Sequence, residues 1–187
     1  MKEVVKLRNG EKILIRHVIE SDIDGIWNNF NEVVDEKIYL PVLFPVRSKF
    51  EKQSWFHNIQ KEREICIIAI HPTMVSPYNI LGQCEISNLE WDAATHVGSL
   101  GIIVQRNFRD LGIGFNLIDK AIRESKRLNK EKIILSSFLD NERALFLYKK
   151  IGFKTTGIRK KQFYMDSVYY DEVLMELWID DYINKNP

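Results

Sequence analysis

Between Leu100 and Leu117 the chain reads LGIIVQRNFRDLGIGFNL. An apolar strand ends at Val104, a short polar loop follows, and Arg109-Asp110-Leu111-Gly112-Ile113-Gly114 runs into a helix. Leu117, Ile118, Ala121, Ile122 and Leu128 then recur on one stripe of that helix. The first turn of a helix carries unpaired N–H groups and a partial positive charge. Glycines at that point let the backbone approach an anion closely, and Arg109 can add a charged contact. The spacing is not a dinucleotide fingerprint, which needs glycine at the position of Leu117, nor a P-loop, which needs Gly-Lys-Ser/Thr. Taken alone, Gly-x-Gly also fits a purely structural turn.

The other segments supply the sheet and helices around this one. Val4–Leu7 and Ile13–Ile15 flank Asn9-Gly10, a strong hairpin signal. Ser21 opens a helical pattern through Ile23, Ile26, Trp27, Phe30 and Val34. Ser48, with Glu51 three residues on, starts a second helix, and prolines 41 and 45 keep the intervening stretch out of helix. Strands are expected at Ile65–Ile70, Ile80–Leu89, His96–Val104, Lys132–Phe138, Lys154–Tyr164 and Tyr169–Trp178, with a helix over Asn141–Ile151 that stops at Gly152. The expected architecture is a single α/β domain over residues 1–187, a mixed central sheet flanked by helices on both sides, with parallel pairing in the second half.

Composition narrows the function classes. Lys and Arg number 27 against 26 Asp and Glu, so no net field draws in nucleic acid or an anionic membrane. The run Arg159-Lys160-Lys161 is read as a solvated strand end. Cys66 and Cys84 each sit in an apolar run and are read as buried free thiols. With no signal-peptide pattern and no long apolar run, a cytoplasmic location is expected, with no nucleic acid, membrane or metal as partner.

Two motifs carry a resemblance. Arg109, Gly112 and Gly114 match the Q/R-x-x-G-x-G/A signature of the GNAT acetyltransferases, and Asn141 to Phe153 matches the N-x-x-A-x-x-x-Y-x-x-x-G-F that follows it in that family. The opening Arg16-His17 with Asp22 and Asp24, and the closing run Tyr170 to Met175, are weaker echoes. The resemblance implies the GNAT fold and an acetyl-CoA-dependent N-acetyltransferase acting on a primary amine. It assigns Arg109, Asp110, Leu111, Gly112, Ile113, Gly114 and Phe115 to the pyrophosphate of coenzyme A, and Ile102, Ile103 and Val104 to its pantetheine arm. Asn141 corresponds to a pantetheine contact, or simply caps its helix. Tyr148 corresponds to the general acid that protonates the departing thiolate, or is a core aromatic beside Leu145 and Ile151.

The general base is harder to place. The family's glutamate falls at Gly98 or Ser99, and neither takes a proton. Glu85 is the nearest carboxylate, sharing a strand face with Gln83 and Ser87. His96 is a weaker candidate, and a water chain is the alternative. A non-catalytic coenzyme A-binding or sensing module competes with the enzyme, favoured by the missing carboxylate and disfavoured by Tyr148. The acceptor amine stays open: Trp27, Tyr39, Phe44, Trp55 and Tyr164 form an apolar wall or simply core, and Glu32, Asp35 and Glu36 read as a solvated helix end. A homodimer is left open.

Overall fold

In a computed structural model that describes residues 2–187, the chain forms one eight-stranded sheet. The strands are β1 (Glu3–Lys6), β2 (Lys12–His17), β3 (Ile65–Ile70), β4 (Ile80–Asn88), β5 (Val97–Val104), β6 (Lys132–Phe138), β7 (Lys154–Met165) and β8 (Val168–Trp178). Their spatial order is β1-β2-β3-β4-β5-β6-β8-β7. The hairpin turns at Gly10 with φ +91°, as Asn-Gly leads one to expect. All ladders are antiparallel except β5 with β6. The expected parallel pairing in the second half is thus the single junction between β5 and β6.

Helices cover both faces. On one, α3 (Ile113–Arg127), α4 (Glu142–Ile151) and α5 (Ile179–Lys185) bury Leu117, Ile118, Leu145, Tyr148 and Tyr182 against Ile67, Cys84, Leu100, Ile133 and Met175. On the other, α1 (Ile23–Asp35) and α2 (Lys49–Lys61) bury Ile26 and Ile59 against Cys66, Ile68 and Ile70. β3 faces helices on both sides, which explains its unbroken apolar run; all six of its residues are buried. At about 25 cal/mol per Å², each fully buried isoleucine there contributes roughly 2–3 kcal/mol against exposure. Both cysteines are buried and free.

Local departures from the sequence reading have clear causes. Ser21 does not cap α1. A 3-10 turn at Glu20–Asp22 precedes it, and Asp22 accepts from Arg16 at 2.6 Å and from the Ile19 N–H at 2.8 Å. Ser48 does cap α2, accepting from Glu51 N at 3.3 Å. The helix α5 was not anticipated, although Asp180 and Asp181 in its first turn and Ile179, Tyr182 and Ile183 at helical spacing are its signals. The run at Arg159 to Lys161 lies at a register shift between β7 and β8. Arg159 there meets Glu172 at 3.0 Å and Lys160 meets Asp171 at 2.6 Å. Among the described residues no helix is long and apolar enough to cross a membrane.

Candidate active site

The parallel ladder between β5 and β6 is short. It pairs Val97 with Lys132, Gly98 with Ile133 and Ser99 with Ile134, and then stops. β5 stays paired to β4 as far as Val104, and β6 stays paired to β8 as far as Phe138. The two strands therefore diverge, leaving Leu100–Val104 and Leu135–Phe138 each with one bare edge. Bare strand edges offer N–H and C=O groups to an extended ligand.

A cavity of about 1040 Å³ fills this opening. From the α3–α4 side it is lined by Gly112, Gly114, Phe115, Asn141, Leu147 and Tyr148, and from the α1–α2 side by Val33, Tyr39, Leu40, Pro41 and Phe163. Gly101 to Val104 and Ser136 to Phe138 form its flanks. The cavity thus connects the two faces through the split.

The glycine loop presents backbone rather than side chains at the start of α3. Gly112 is the N-cap of α3 with φ +96°, a left-handed conformation that admits glycine at little cost. Gly112 C=O accepts from the Asn116 backbone at 3.2 Å and from its side chain at 2.8 Å, so the loop is locked onto the helix it starts. A Cβ on Gly114 would lie 3.0 Å from Leu147 Cδ2, with Ile102 and Val104 close behind. This glycine keeps the slot between α3, α4 and β5 open. Arg8, in the β1–β2 turn, donates to the Asp110 carbonyl at 3.2 Å and braces the loop from outside. Lys6 and Arg8 both line the cavity, cations that the sequence reading passed over because the hairpin is remote in sequence.

The Arg109 guanidinium is held by groups of the protein itself. It donates from Nε to Val104 O at 2.9 Å and from one terminal nitrogen to Glu36 at 2.7 Å, its second terminal nitrogen bonds the same carboxylate, and it lies 4.7 Å from the Tyr39 ring centre. In this arrangement the side chain is engaged by Val104 and Glu36, while its residue still lines the cavity. Glu36 is no solvated helix end either, since it is 12% exposed. Glu32 accepts from Gln105 at 3.0 Å. Asp110 turns outward at φ +63° and meets Arg143 at 3.2 Å.

Ile102, Ile103, Val104, Arg109, Asp110, Leu111, Gly112, Gly114, Phe115, Asn141 and Tyr148 share the cavity wall. Ile113 does not: its side chain is 1% exposed in the core, leaving only its N–H toward the loop. Asn141 caps α4, its Oδ1 accepting from Ala144 N at 3.2 Å, which leaves its amide N–H₂ free of described partners. Tyr148 is 6% exposed, and its hydroxyl makes no hydrogen bond to a described residue. Burial, with Cys84 beside it, pushes its phenol well above the usual range.

Glu85 stands outside the cavity wall proper, on the α1–α2 face, level with Cys66 on β3 and Gly101 on β5. Trp55 Nε1 donates to one carboxylate oxygen at 3.3 Å and Gln83 Nε2 to the other at 3.3 Å. Burial pushes its pKa up, partly offset by these two donors. The strand neighbour Gly101 lines the cavity and has nothing within 4 Å of where its Cβ would be. Gly98 and Ser99, where a base was sought, lie in the paired part of β5 before the split. His96 is exposed beyond the opposite end of that strand, and its carbonyl receives Glu131 N and Lys132 N. The aromatic wall also sorts out. Trp27 and Trp55 pack edge-to-face 5.5 Å apart under Glu85, Tyr39 lines the cavity, and Phe44 and Tyr164 are 78% and 58% exposed.

Proteins similar to this chain include acetyltransferases. The chain is 35% identical over 165 residues to the N-alpha-acetyltransferase of Sulfurisphaera tokodaii, covering 88% of this chain and 93% of that one. It is 29% identical over 98 residues to the L-amino acid N-acetyltransferase AaaT of Escherichia coli K12, and spans 60% of that relative's length. The structure of yncA, described as a putative acetyltransferase from Salmonella typhimurium with its cofactor acetyl-CoA, superposes with a TM-score of 0.82 over 90% of this chain and 95% of that one, at 16% identity. The model of the Acetyltransferase (GNAT) family matches residues 34–153, which hold the split strands, the glycine loop and the helix of Tyr148. The chain belongs to the acetyltransferase (GNAT) family.

Proposed function

We propose that the protein transfers the acetyl group of acetyl-CoA to a primary amine by direct attack, with the two reactants meeting in the split between β5 and β6. The observation that carries this reading is a cavity that reaches both faces of the sheet, with the glycine-rich start of α3 on one face and, on the other, Gly101 directly across the ladder from the half-buried Glu85. The backbone N–H groups from Leu111 to Phe115 would hold the pyrophosphate, and the bare edge of β5 at Ile102 to Val104 would pair with the pantetheine arm. The fit is supported by Gly114, whose missing side chain keeps that slot open. Relatives at the level of fold carry acetyl-CoA in their structures.

Acetyl-CoA supplies an activated acetyl thioester. Glu85 accepts the amine proton, directly or through a water over Gly101. Its raised pKa suits a base that works near neutrality better than an ordinary carboxylate would. Tyr148 holds its proton until the sulfur departs, and it approaches from the opposite face, so donor and acceptor of protons do not compete. The acceptor end is walled by Val33, Tyr39, Leu40 and Phe163, which suits an amine borne on an apolar body. The relatives' names, an N-alpha-acetyltransferase and an L-amino acid N-acetyltransferase, favour an α-amine as the group attacked.

Thiol release from acetyl-CoA against a panel of free amino acids, peptides with free N-termini and polyamines tests this. Release with at least one α-amine, and an acetylated product by mass, is expected. Tight binding of acetyl-CoA with no release on any amine would instead mark a binding or sensing module.

A further inference from the structure

We infer that Glu36 is a positioning residue that acts through Arg109 on Tyr39, setting the acceptor wall from the cofactor loop. The inference rests on the acetyl-CoA reading above and adds a link between its two halves. The Arg109 guanidinium is held on three sides. One edge holds the Val104 carbonyl at the end of β5, the other holds Glu36 at the end of α1, and the Tyr39 ring covers its face. The pair is desolvated, with side chains 11% and 12% exposed, so it is fixed in a way that a surface ion pair is not. One turn earlier on α1, Glu32 accepts from Gln105 at 3.0 Å, a second tie from the same helix to the same loop.

The segment that follows Glu36 is the acceptor wall. Tyr39, Leu40 and Pro41 line the cavity, while Leu43 and Phe44 are exposed. Asn31 grips its far end, donating to Val46 O at 2.9 Å and accepting from Val46 N at 2.8 Å. Between these anchors the described structure gives the segment no regular helix or strand. Its position in the cavity is therefore set where Tyr39 lies on Arg109. Arg109 in turn is three residues before Gly112, in the loop that would receive the pyrophosphate. Anything that orders the loop orders Arg109, and through it Tyr39. Such a link needs no large movement, only the loss of mobility in one segment when the other is fixed.

Hydrogen exchange with coenzyme A as the only ligand tests the link without knowledge of the amine. In the parent, coenzyme A is expected to slow exchange over both 109–116 and 37–46. In Glu36→Gln the slowing over 109–116 should persist and the calorimetric affinity should stay within about threefold, while the slowing over 37–46 should fall by about fivefold or more. Glu36→Asp, which keeps the charge, should recover part of it. Tyr39→Leu leaves the ion pair whole, so it decides the matter if Glu36→Gln does not fold; it should lose the slowing over 37–46 at unchanged coenzyme A affinity. Equal slowing over 37–46 in the parent and either variant overturns the inference. So does a coenzyme A affinity that falls in step with it, which would make the pair a cofactor contact. If coenzyme A slows neither segment in the parent, the cofactor site itself is misplaced, an outcome distinct from failure of the link.

Discussion

Gly101 lies directly across the β4–β5 ladder from Glu85, and a methyl group added to it would touch nothing within 4 Å. In the proposed reaction, this open space over Gly101, on the strand next to that of Glu85, is where an attacking amine would stand. Gly101→Val should fill it without straining the strand, since a β-branched side chain suits extended backbone. The expected result is a KM for the amine raised about tenfold or more with the affinity for coenzyme A unchanged. Equal acceptor kinetics in the two proteins would place the amine elsewhere.

Glu85→Gln separates the chemical from the structural consequences of burying a carboxylate. Burial raises the Glu85 pKa above its ordinary value of 4.5, so the folded protein keeps this proton to higher pH than the unfolded chain does. Stability is then lost as pH rises from 4.5 through the folded pKa. Glutamine keeps a partner for Trp55 without the charge. Its melting temperature relative to the parent should rise between acidic and neutral pH, while turnover falls most where the amine is protonated. A melting difference that is flat with pH would mean that Glu85 is solvated in the folded state.

Asn141 has two jobs to separate. Its Oδ1 caps α4, its N–H₂ has no described partner, and the residue lines the cavity. Asn141→Ser keeps a capping oxygen and drops the amide, so stability should hold while coenzyme A binds several-fold more weakly. Asn141→Ala should lose about 1 kcal/mol of stability as well, read by denaturant melts. Equal coenzyme A affinity in all three proteins would leave Asn141 as a cap alone.

The two loop glycines answer differently to substitution. At Gly112 any side chain meets the strain of φ +96°, costing roughly 1–2 kcal/mol, so weakened binding there is mixed with weakened folding. Gly114 lies in ordinary helix, where an added Cβ meets the flexible tip of Leu147 at 3.0 Å. Gly114→Val is the cleaner probe. It should narrow the slot and weaken coenzyme A by about tenfold or more at little change in melting temperature. Unchanged binding would put the pantetheine outside this slot.

The order of elements was legible because each strand and helix carries its own period and stop signal: Ile65–Ile70 as an apolar run, Asn9-Gly10 as a turn, Gly152 as a helix end. Ile102 to Val104, the glycine loop, Asn141 and Tyr148 could be gathered because two motifs tie them to one family. Partnerships across the sheet were not legible. Nothing local says that Glu36 meets Arg109, 73 residues away, or that β5 leaves β6 after Ser99. The resemblance puts the family's glutamate at Gly98 or Ser99, neither of which takes a proton, and no local signal says which other carboxylate would serve. α5 was missed because a seven-residue helix after a long strand offers barely two turns of pattern.

The central claim is that Tyr148 donates a proton to the departing sulfur, and Tyr148→Phe tests it most directly. The ring stays, edge-to-face with Phe153 at 5.9 Å, and only a hydroxyl without described partners is removed, so fold and coenzyme A affinity should survive. Burial keeps the phenol protonated well past its ordinary value of 10, so the donor is present across the working range. Thiol release from acetyl-CoA, measured with the best amine from neutral to alkaline pH, should fall by about 10²–10⁴ in turnover at unchanged coenzyme A affinity. Turnover equal to the parent at every pH, with the variant folded and binding coenzyme A, would contradict the account.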